Sequence, residues 1–159
     1  MPRVHVATFG PLEYIAGRMR VADYEEFAAV REDMDPSAIA QSLLHVSVVA
    51  YVVHANDGEP VAAIGAARFT NHVASMWAYG TDRWSEVILS LTKHAIRVMV
   101  PELTQRGFHR AEARALASRD DVAKWVGLIG LKHECRLVGF GSEREDFALY
   151  AWTDRDQVL

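Results

Sequence analysis

The sequence has a single cysteine, fewer basic than acidic residues, and no long apolar run. Its one cysteine, Cys135, cannot form an internal disulfide, which fits a reducing compartment. The formal charge of −4 argues against a dedicated nucleic-acid binder, because such proteins normally carry a basic stripe. The longest apolar run, residues 46–53, is too short to cross a bilayer, and the N-terminal residues lack the apolar core of a signal peptide. We therefore expect a soluble intracellular protein without membrane or nucleic-acid partners.

The residues that are present suffice for one ordinary domain. Of the 159 residues, 50% are apolar and 24% are charged, a composition that buries a core and excludes disordered and fibrous proteins. No repeat, low-complexity tract or linker interrupts the chain, so we predict a single domain over residues 1–159.

The N-terminal third has the pattern of one strand followed by short helices. Residues 4–8 alternate weakly, and the apolar positions of residues 12–19 share one helical face. A second helix is predicted over residues 23–31 with Asp23 as its N-cap, and a third begins at Asp35-Pro36. The charged residues of this region are interpreted as solvated faces; they include Arg18, Arg20, Glu25 and Glu26.

The middle of the chain has the pattern of an antiparallel meander. Two β-rich runs, residues 46–55 and 60–69, flank the turn Asn56-Asp57-Gly58-Glu59. Asp-Gly between apolar runs is a strong hairpin signal, because both residues tolerate positive φ. Residues 73–79 supply a third consecutive strand.

The chain is organised around residues 76–130, a strand–helix–strand–helix run. After the strand, the turn Gly80-Thr81-Asp82-Arg83 leads into a long amphipathic helix that starts at Trp84, and Pro101 is expected to kink or end it. A helix that starts directly after a strand presents free backbone N–H groups that can hold a phosphate. Asp82 has two interpretations, as a general base beside such a site or as the N-cap of the helix.

The second half of this run repeats the pattern. Residues 110–116 form a strand, and a crossover between strands through a helix is nearly always parallel and right-handed. Ser118 and Asp121 are predicted to form the capping box of a helix that stops at Gly130. Residues 131–138 and 146–152 then form two final strands.

This order of elements resembles the fold of the GNAT acetyltransferases. The local resemblance covers about residues 76–152 and is sharpest in three segments: His109-Arg110-Ala111-Glu112-Ala113-Arg114-Ala115-Leu116, Leu128-Ile129-Gly130-Leu131-Lys132 and Leu149-Tyr150. The resemblance implies an α/β (mixed α+β) fold, with a central mixed sheet of about seven strands and helices on both faces. It also implies acetyl-CoA as the co-substrate of an N-acetyltransferase.

The motifs through which GNAT enzymes bind coenzyme A are altered here. The family holds the pyrophosphate with an Arg/Gln-x-x-Gly-x-Gly/Ala turn, because the phosphates must touch bare backbone N–H groups. The matching stretch is Arg83-Trp84-Ser85-Glu86-Val87-Ile88, in which glutamate and isoleucine replace the small residues. A carboxylate at this place repels phosphate. The positions of the family's asparagine and of its tyrosine general acid hold Arg119 and Val126, and residues 73–79 contain no carboxylate to act as a base.

The resemblance still implies a set of candidate site residues. Coenzyme contacts are assigned to Trp77, Ala78, Tyr79, Arg83, Trp84, Ser85 and Glu86, and catalytic roles to Tyr79, Asp82 and Ser118. Each assignment has a simpler alternative: the aromatic residues would pack in the core or between subunits, and Asp82 and Ser118 would cap helices. The seven histidines show no metal-ligand spacing, so no metal site is predicted.

Two functional hypotheses stay open. In its departures from the family, the chain is similar to GNAT-like internal virion or assembly proteins of short-tailed bacteriophages, through Met76-Trp77-Ala78, the Thr81-Asp82 turn and a long basic-tinged helix. That likeness implies a non-catalytic virion or assembly protein (internal core or head–tail junction) with a degenerate coenzyme A site. Its partners would be other virion proteins or a second copy, and its location the host cytoplasm or the virion. The alternative is an acetyl-CoA-dependent N-acetyltransferase acting on a protein or small-molecule amine; the orientation of Glu86 and Ile88 discriminates between them.

Overall fold

The computed structural model describes residues 1–157, which form a seven-stranded mixed sheet with helices on both faces. The strands are β1 Arg3–Val6, β2 Ser47–His54, β3 Pro60–Arg68, β4 Val73–Gly80, β5 Arg110–Leu116, β6 Lys132–Leu137 and β7 Phe147–Thr153. Their spatial order is β1-β2-β3-β4-β5-β7-β6. Neighbouring strands are antiparallel except β4 and β5, which are parallel. The predicted mixed α/β fold is confirmed.

Short helices cover both faces of this sheet. The α-helices are α1 Phe9–Ala16, α2 Val21–Ala28, α3 Pro36–Val46, α4 Ile88–His94, α5 Val100–Gln105 and α6 Asp120–Ile129. A 3-10 turn, Trp84–Glu86, precedes α4, a π-helical turn, Ala95–Met99, joins α4 to α5, and a second 3-10 turn covers Asp154–Gln157.

The sheet separates two hydrophobic cores. On one face, the segment from α4 to α6 buries Leu91, Met99 and Phe108 against the strands. On the other face, α1 and α3 bury side chains that include Leu12 and Ile39. Successive residues of the central strands alternate between these cores because side chains of a strand point to opposite faces in turn. The centre of the sheet is therefore covered on both sides, and a ligand reaches it only where the sheet itself opens.

Several local signals of the sequence are confirmed. The β2–β3 hairpin turns at Gly58, whose φ is +88°. Asp35 caps α3 by accepting a 3.2 Å hydrogen bond from the Ala38 N–H. α6 is followed by Gly130 with φ +104°, a left-handed conformation that glycine adopts without strain.

The long central helix differs from its prediction. It does not start at Trp84 under an Asp82 cap: α4 begins only at Ile88, and Asp82 is exposed without a capping hydrogen bond. Within the turn, the Thr81 hydroxyl accepts a hydrogen bond from the Arg83 N–H at 3.2 Å, and no side chain caps the 3-10 turn or α4. Pro101 neither ends the helix nor blocks it, since the wider π-helical turn just before it accommodates a residue without an N–H.

Two predicted helix caps are wrong because their carboxylates bind arginines instead. Ser118 and Asp121 form no capping box: α6 has Arg119 at its N-cap, and Asp121 pairs with the Arg119 guanidinium at 2.8 Å. Asp23 is the third residue of α2 rather than its cap, and it is buried.

Candidate functional site

The candidate site lies in a gap between β4 and β5. These parallel strands pair only from Val73 opposite Arg110 to Met76 opposite Ala113. Beyond this point β4 stays paired with β3, and β5 stays paired with β7, so the two strands separate toward their C-terminal ends. The carboxyl ends of separating strands in an α/β sheet are a common place for a ligand, because both strand edges face the same crevice.

A cavity of about 490 Å³ fills this gap, a size typical of small-molecule sites. Most of its wall is apolar and comes from β4, β5, α6 and their flanking turns: Met76, Trp77, Ala78, Trp84, Ile88, Ala113, Val122, Trp125, Val126, Ile129 and Phe140. Charged side chains enter the wall from α2 and from the ends of β5 and α6: Arg20, Asp23, Glu26, Arg31, Arg114, Arg119 and Asp121. The cavity is thus mostly apolar with one charged side. This combination is typical of a site whose ligand has both an apolar part and a charged or polar part.

Asp23 ties the separated strands together at the charged side. Its carboxylate accepts hydrogen bonds from the Gly80 N–H at the end of β4 (2.9 Å), from Arg20 (2.9 and 3.0 Å) and from Arg119 Nη1 (2.8 Å). Arg119 follows β5, and it also donates to Asp121 at 2.8 Å. The side chains of Asp23 and Arg119 are only 3% and 6% exposed, so this pair depends on its hydrogen bonds to offset the loss of water.

Glu26 is a largely buried carboxyl group beside this network, with 13% of its side chain exposed. Its Oε1 accepts from the Leu116 N–H at 2.9 Å, and its Oε2 lies 3.7 Å from Arg119 Nη1. Burial raises the pKa of Glu26 to about 7, outweighing the Leu116 N–H and the Arg119 guanidinium, which both favour the ionised form. A carboxyl group with such a pKa takes up and releases a proton near neutral pH, which is the property required of a general base.

Two tryptophans of the wall lie directly on glycines. Trp77 crosses Gly65 of β3, where a Cβ would come within 2.4 Å of the indole ring, and its Nε1 donates to the Ser47 hydroxyl at 2.9 Å. Trp84 folds back onto Gly80, where a Cβ would come within 2.3 Å of the ring. The positions of both rings therefore require a residue without a side chain beneath them.

The turn after β4 is acidic. Arg83 donates to Asp57 at 2.9 Å, to Glu86 at 2.7 and 2.8 Å, and to Glu59. Hydrogen bonds from Arg83 lower the pKa of Glu86, which keeps this carboxyl ionised at neutral pH. One guanidinium faces three carboxylates, so the formal charge of the cluster is −2 and a phosphate brought here is repelled.

The structure divides the residues predicted to contact the coenzyme. Trp77, Ala78 and Trp84 line the cavity, whereas Arg83, Ser85, Glu86 and Tyr79 do not. The Glu86 side chain is 49% exposed and bonded to Arg83, while Ile88 lines the cavity. Neither side chain fills the gap, which stays open between β4 and β5.

The predicted catalytic candidates lie away from the cavity wall. Tyr79 is fully buried in the core on the α1 side, where its hydroxyl donates to the Leu12 carbonyl at 3.1 Å and burial raises its pKa. Asp82 and Ser118 are exposed. Tyr79 therefore packs in the core, which is the alternative to its predicted role in the site.

The charged side of the cavity was not predicted from the sequence. The interpretation of Arg20 and Glu26 as solvated is wrong, because both line the cavity and take part in or adjoin the Asp23 network. One signal was available: Arg20, Asp23 and Glu26 are spaced three residues apart, which places them on one helical face together with Phe27.

Residues 1–157 contain neither a metal-binding cluster nor a membrane-spanning helix. No group of three or more histidine, cysteine, aspartate or glutamate side chains in this range is arranged to hold a metal ion. Within the same range, every helix is too short or too polar to span a bilayer. Cys135 is exposed on β6.

Comparison with known proteins identifies the architecture. No protein-family model and no curated protein matches the chain. The ribosomal-protein-alanine N-acetyltransferase from Brucella melitensis matches with a TM-score of 0.74 at 15% identity, over 95% of this chain and 99% of that one. The ribosomal-protein-S18-alanine N-acetyltransferase from Escherichia coli gives 0.69 at 14% identity, over 96% and 94%. A GNAT-family acetyltransferase from Bacillus anthracis gives 0.66 at 14% identity, over 97% and 95%. Identities this low show the fold alone, and the chain has the fold of the GNAT acetyltransferases.

Proposed function

We propose that this protein is an N-acyltransferase, which moves an acyl group from a coenzyme A thioester to an amine held beside Glu26. The observation that supports this function is the 490 Å³ cavity between the separated ends of β4 and β5, with a carboxyl group of pKa about 7 in its wall. The solved structures with this fold include N-acetyltransferases, which supports the same chemistry at the level of fold.

The acyl-bearing arm of such a donor fits the apolar part of the cavity. One wall of the cavity is apolar, like the acyl-bearing arm, and is formed by Met76, Trp77 and Ala78 of β4 and Ala113 of β5. Beyond Met76, the edge of β4 that faces β5 has no strand partner within residues 1–157. An extended ligand that carries amide groups can pair with such an edge as an added strand does.

Glu26 would serve as the base. Its carboxylate takes a proton from the ammonium group of the acceptor, and the neutral nitrogen then attacks the carbonyl carbon of the thioester. The C–N bond forms and the C–S bond breaks. The leaving thiolate takes up the proton that the new amide nitrogen loses, and Glu26 releases its own proton to solvent. A base with a pKa of about 7 titrates near neutral pH, so both its uptake and its release of the proton are accessible there.

A second candidate function, a non-catalytic domain with a degenerate coenzyme site, is favoured by the acidic turn. A donor diphosphate at the start of α4 would have to displace Glu86 from Arg83 and would still meet Asp57 and Glu59. The repulsion between these carboxylates and the diphosphate would weaken the binding of the donor. It would leave open the apolar part of the cavity, where the acyl group would lie. A virion or assembly role for such a domain rests on sequence patterns alone.

Calorimetric titration with acetyl-CoA and an assay of thiol release in the presence of mixed amines separate the two candidates. The enzyme is expected to bind acetyl-CoA and to release thiol only when an amine is present. Glu26→Gln preserves the acceptor for the Leu116 N–H but cannot take a proton, so kcat falls about 100-fold or more while the affinity for acetyl-CoA is unchanged.

Glu25→Gln is the matched control, because Glu25 is the exposed neighbour on α2 and does not line the cavity. Its activity should equal that of the wild type. Absence of acetyl-CoA binding by the wild type would favour the non-catalytic candidate. Equal rates for Glu26→Gln and the wild type would remove Glu26 from the mechanism.

A further inference from the structure

Arg31 is the cavity arginine whose charge is not balanced by a carboxylate within residues 1–157. The other three arginines of the wall each have acidic partners: Arg20 has Asp23, Arg114 has Glu112, and Arg119 has Asp23 and Asp121. Arg31 instead donates to two neutral oxygens, the Ser42 hydroxyl at 3.1 Å and the Asp33 carbonyl at 3.4 Å. These bonds hold its position but leave its charge available.

An unbalanced guanidinium in the wall of a half-closed cavity is unfavourable for the protein alone. Arg31 is half-buried, so it loses part of its hydration and gains no ion pair in return. Such a residue is stabilised when a ligand brings an anion, because the planar guanidinium forms two parallel hydrogen bonds to a carboxylate. The chemistry of this part of the wall therefore matches an anionic group on the ligand.

The neighbours of Arg31 in the wall describe the rest of that ligand. Phe27 and Val30 lie between Glu26 and Arg31 in the chain, and all four line the same cavity. Phe140 also lines this cavity. This part of the cavity thus offers a base, an apolar surface and a cation.

We propose that Arg31 binds a carboxylate of the acyl acceptor, and that the acceptor is a small amine carrying a carboxylate, such as a free amino acid. The inference rests on the proposed function for the role of Glu26, which would receive the amine. The apolar part of the acceptor packs on Phe27 and Phe140. A peptide N-terminus has an amide at the corresponding place and leaves the Arg31 charge unbalanced, so it is the poorer acceptor.

Matched pairs of acceptors test this proposal directly. L-Phenylalanine, L-methionine and their carboxamides are titrated onto the protein and followed by NMR, and the same compounds are assayed for acetyl transfer. In the wild type the free acid should bind about 10- to 100-fold more tightly than its amide, the effect of a hydrogen-bonded charge pair. Arg31→Gln should abolish that preference through KM with little change in kcat, and Arg31→Lys should restore part of it.

Arg18→Gln is the control for a lost arginine, because Arg18 is exposed and lies outside the cavity wall. It should keep the full preference for the acid. Equal binding of acid and amide, binding of neither, or a preference that survives in Arg31→Gln overturns the proposal. Acetylation of amides or peptides but not of acids would overturn it while the acyltransferase function stands. Binding of the acid through Arg31 without transfer from acetyl-CoA would overturn the acyltransferase function and retain the anion site.

Discussion

Asp23 and Arg119 are 96 positions apart in the chain, yet their side chains form a 2.8 Å ion pair that is almost fully shielded from water. Asp23 also accepts from the Gly80 N–H at the end of β4, and Arg119 follows the end of β5. The pair therefore bridges the two strands where they have separated. It holds the gap at a defined width, and this gap contains the cavity.

Replacement of Asp23 should destabilise the protein strongly. Asp23→Asn leaves the Arg119 guanidinium buried beside a neutral amide, and breaking a buried ion pair from one side costs about 3 kcal/mol or more. Asp121→Asn removes a second carboxylate partner of Arg119, but the Asp121 side chain is 60% exposed, so its loss should cost under about 1 kcal/mol. Urea denaturation measures both free energies of unfolding. Similar losses in the two variants would contradict a structural role for the buried pair.

The stability of the wild type relative to Glu26→Gln should depend on pH in a defined window. Because the pKa of Glu26 is raised from 4.5 to about 7, the folded protein keeps a proton that the unfolded chain has already lost between these values. The free energy of unfolding therefore falls as pH rises through that window, by up to about 3 kcal/mol, and the contribution is constant above it.

Glutamine cannot ionise, so Glu26→Gln lacks this dependence. Denaturation of both proteins at pH 5, 6, 7 and 8 isolates the contribution of Glu26 as the difference between them. A difference that stays constant over this range would show that the carboxyl group titrates normally in the folded protein.

Acetyl-CoA should bind more tightly when the acidic turn is neutralised. Glu86→Gln removes one of the three carboxylates around Arg83, and the dissociation constant is expected to fall about two- to fivefold at low salt. The gain should shrink as salt is added, because the Glu86 side chain is 49% exposed and its charge is screened. Glu86→Gly should act in the same direction.

Glu143→Gln provides a control with the same change of net charge in the exposed loop between β6 and β7. Calorimetric titration should find its affinity for acetyl-CoA unchanged. An equal gain in this variant would attribute the effect to overall charge rather than to the turn.

A methyl group beneath Trp77 should displace that wall of the cavity. In Gly65→Ala the new Cβ would lie 2.4 Å from the indole ring and 2.8 Å from the Val49 carbonyl, so the ring must move, at a cost of about 1–3 kcal/mol. Gly127→Ala is the matched control, because nothing lies within 4 Å of its Cβ and it sits inside α6. That variant should gain about 0.5–1 kcal/mol from helix propensity. Thermal unfolding of both variants decides whether the close approach of Trp77 has the expected cost.

Patterns of short range predicted the elements that form the fold. The Asp57-Gly58 turn, the Asp35 cap and the glycine after α6 act through backbone conformations of a few residues, so their effects are visible in the sequence. The start of α4 was predicted wrongly because the turn before it is stabilised by distant residues. Arg83 in this turn donates hydrogen bonds to Asp57 and Glu59 of the β2–β3 loop. Asp82 has the right residue type for a cap, but the local chain does not place it there.

The sequence by itself determined which segments form strands and helices and their order along the chain, because periodicity and turn chemistry are local properties. The resemblance to the GNAT fold rested on that order and on a few short segments. Only the tertiary structure decided which charges are functional candidates. Asp23, Glu26 and Arg119 have ordinary surface residue types, and their burial arises when α2 is packed against the ends of β4 and β5. The pKa of Glu26 and the unbalanced charge of Arg31 depend on which groups that packing brings near and which it excludes, and neither is a property of a segment taken alone.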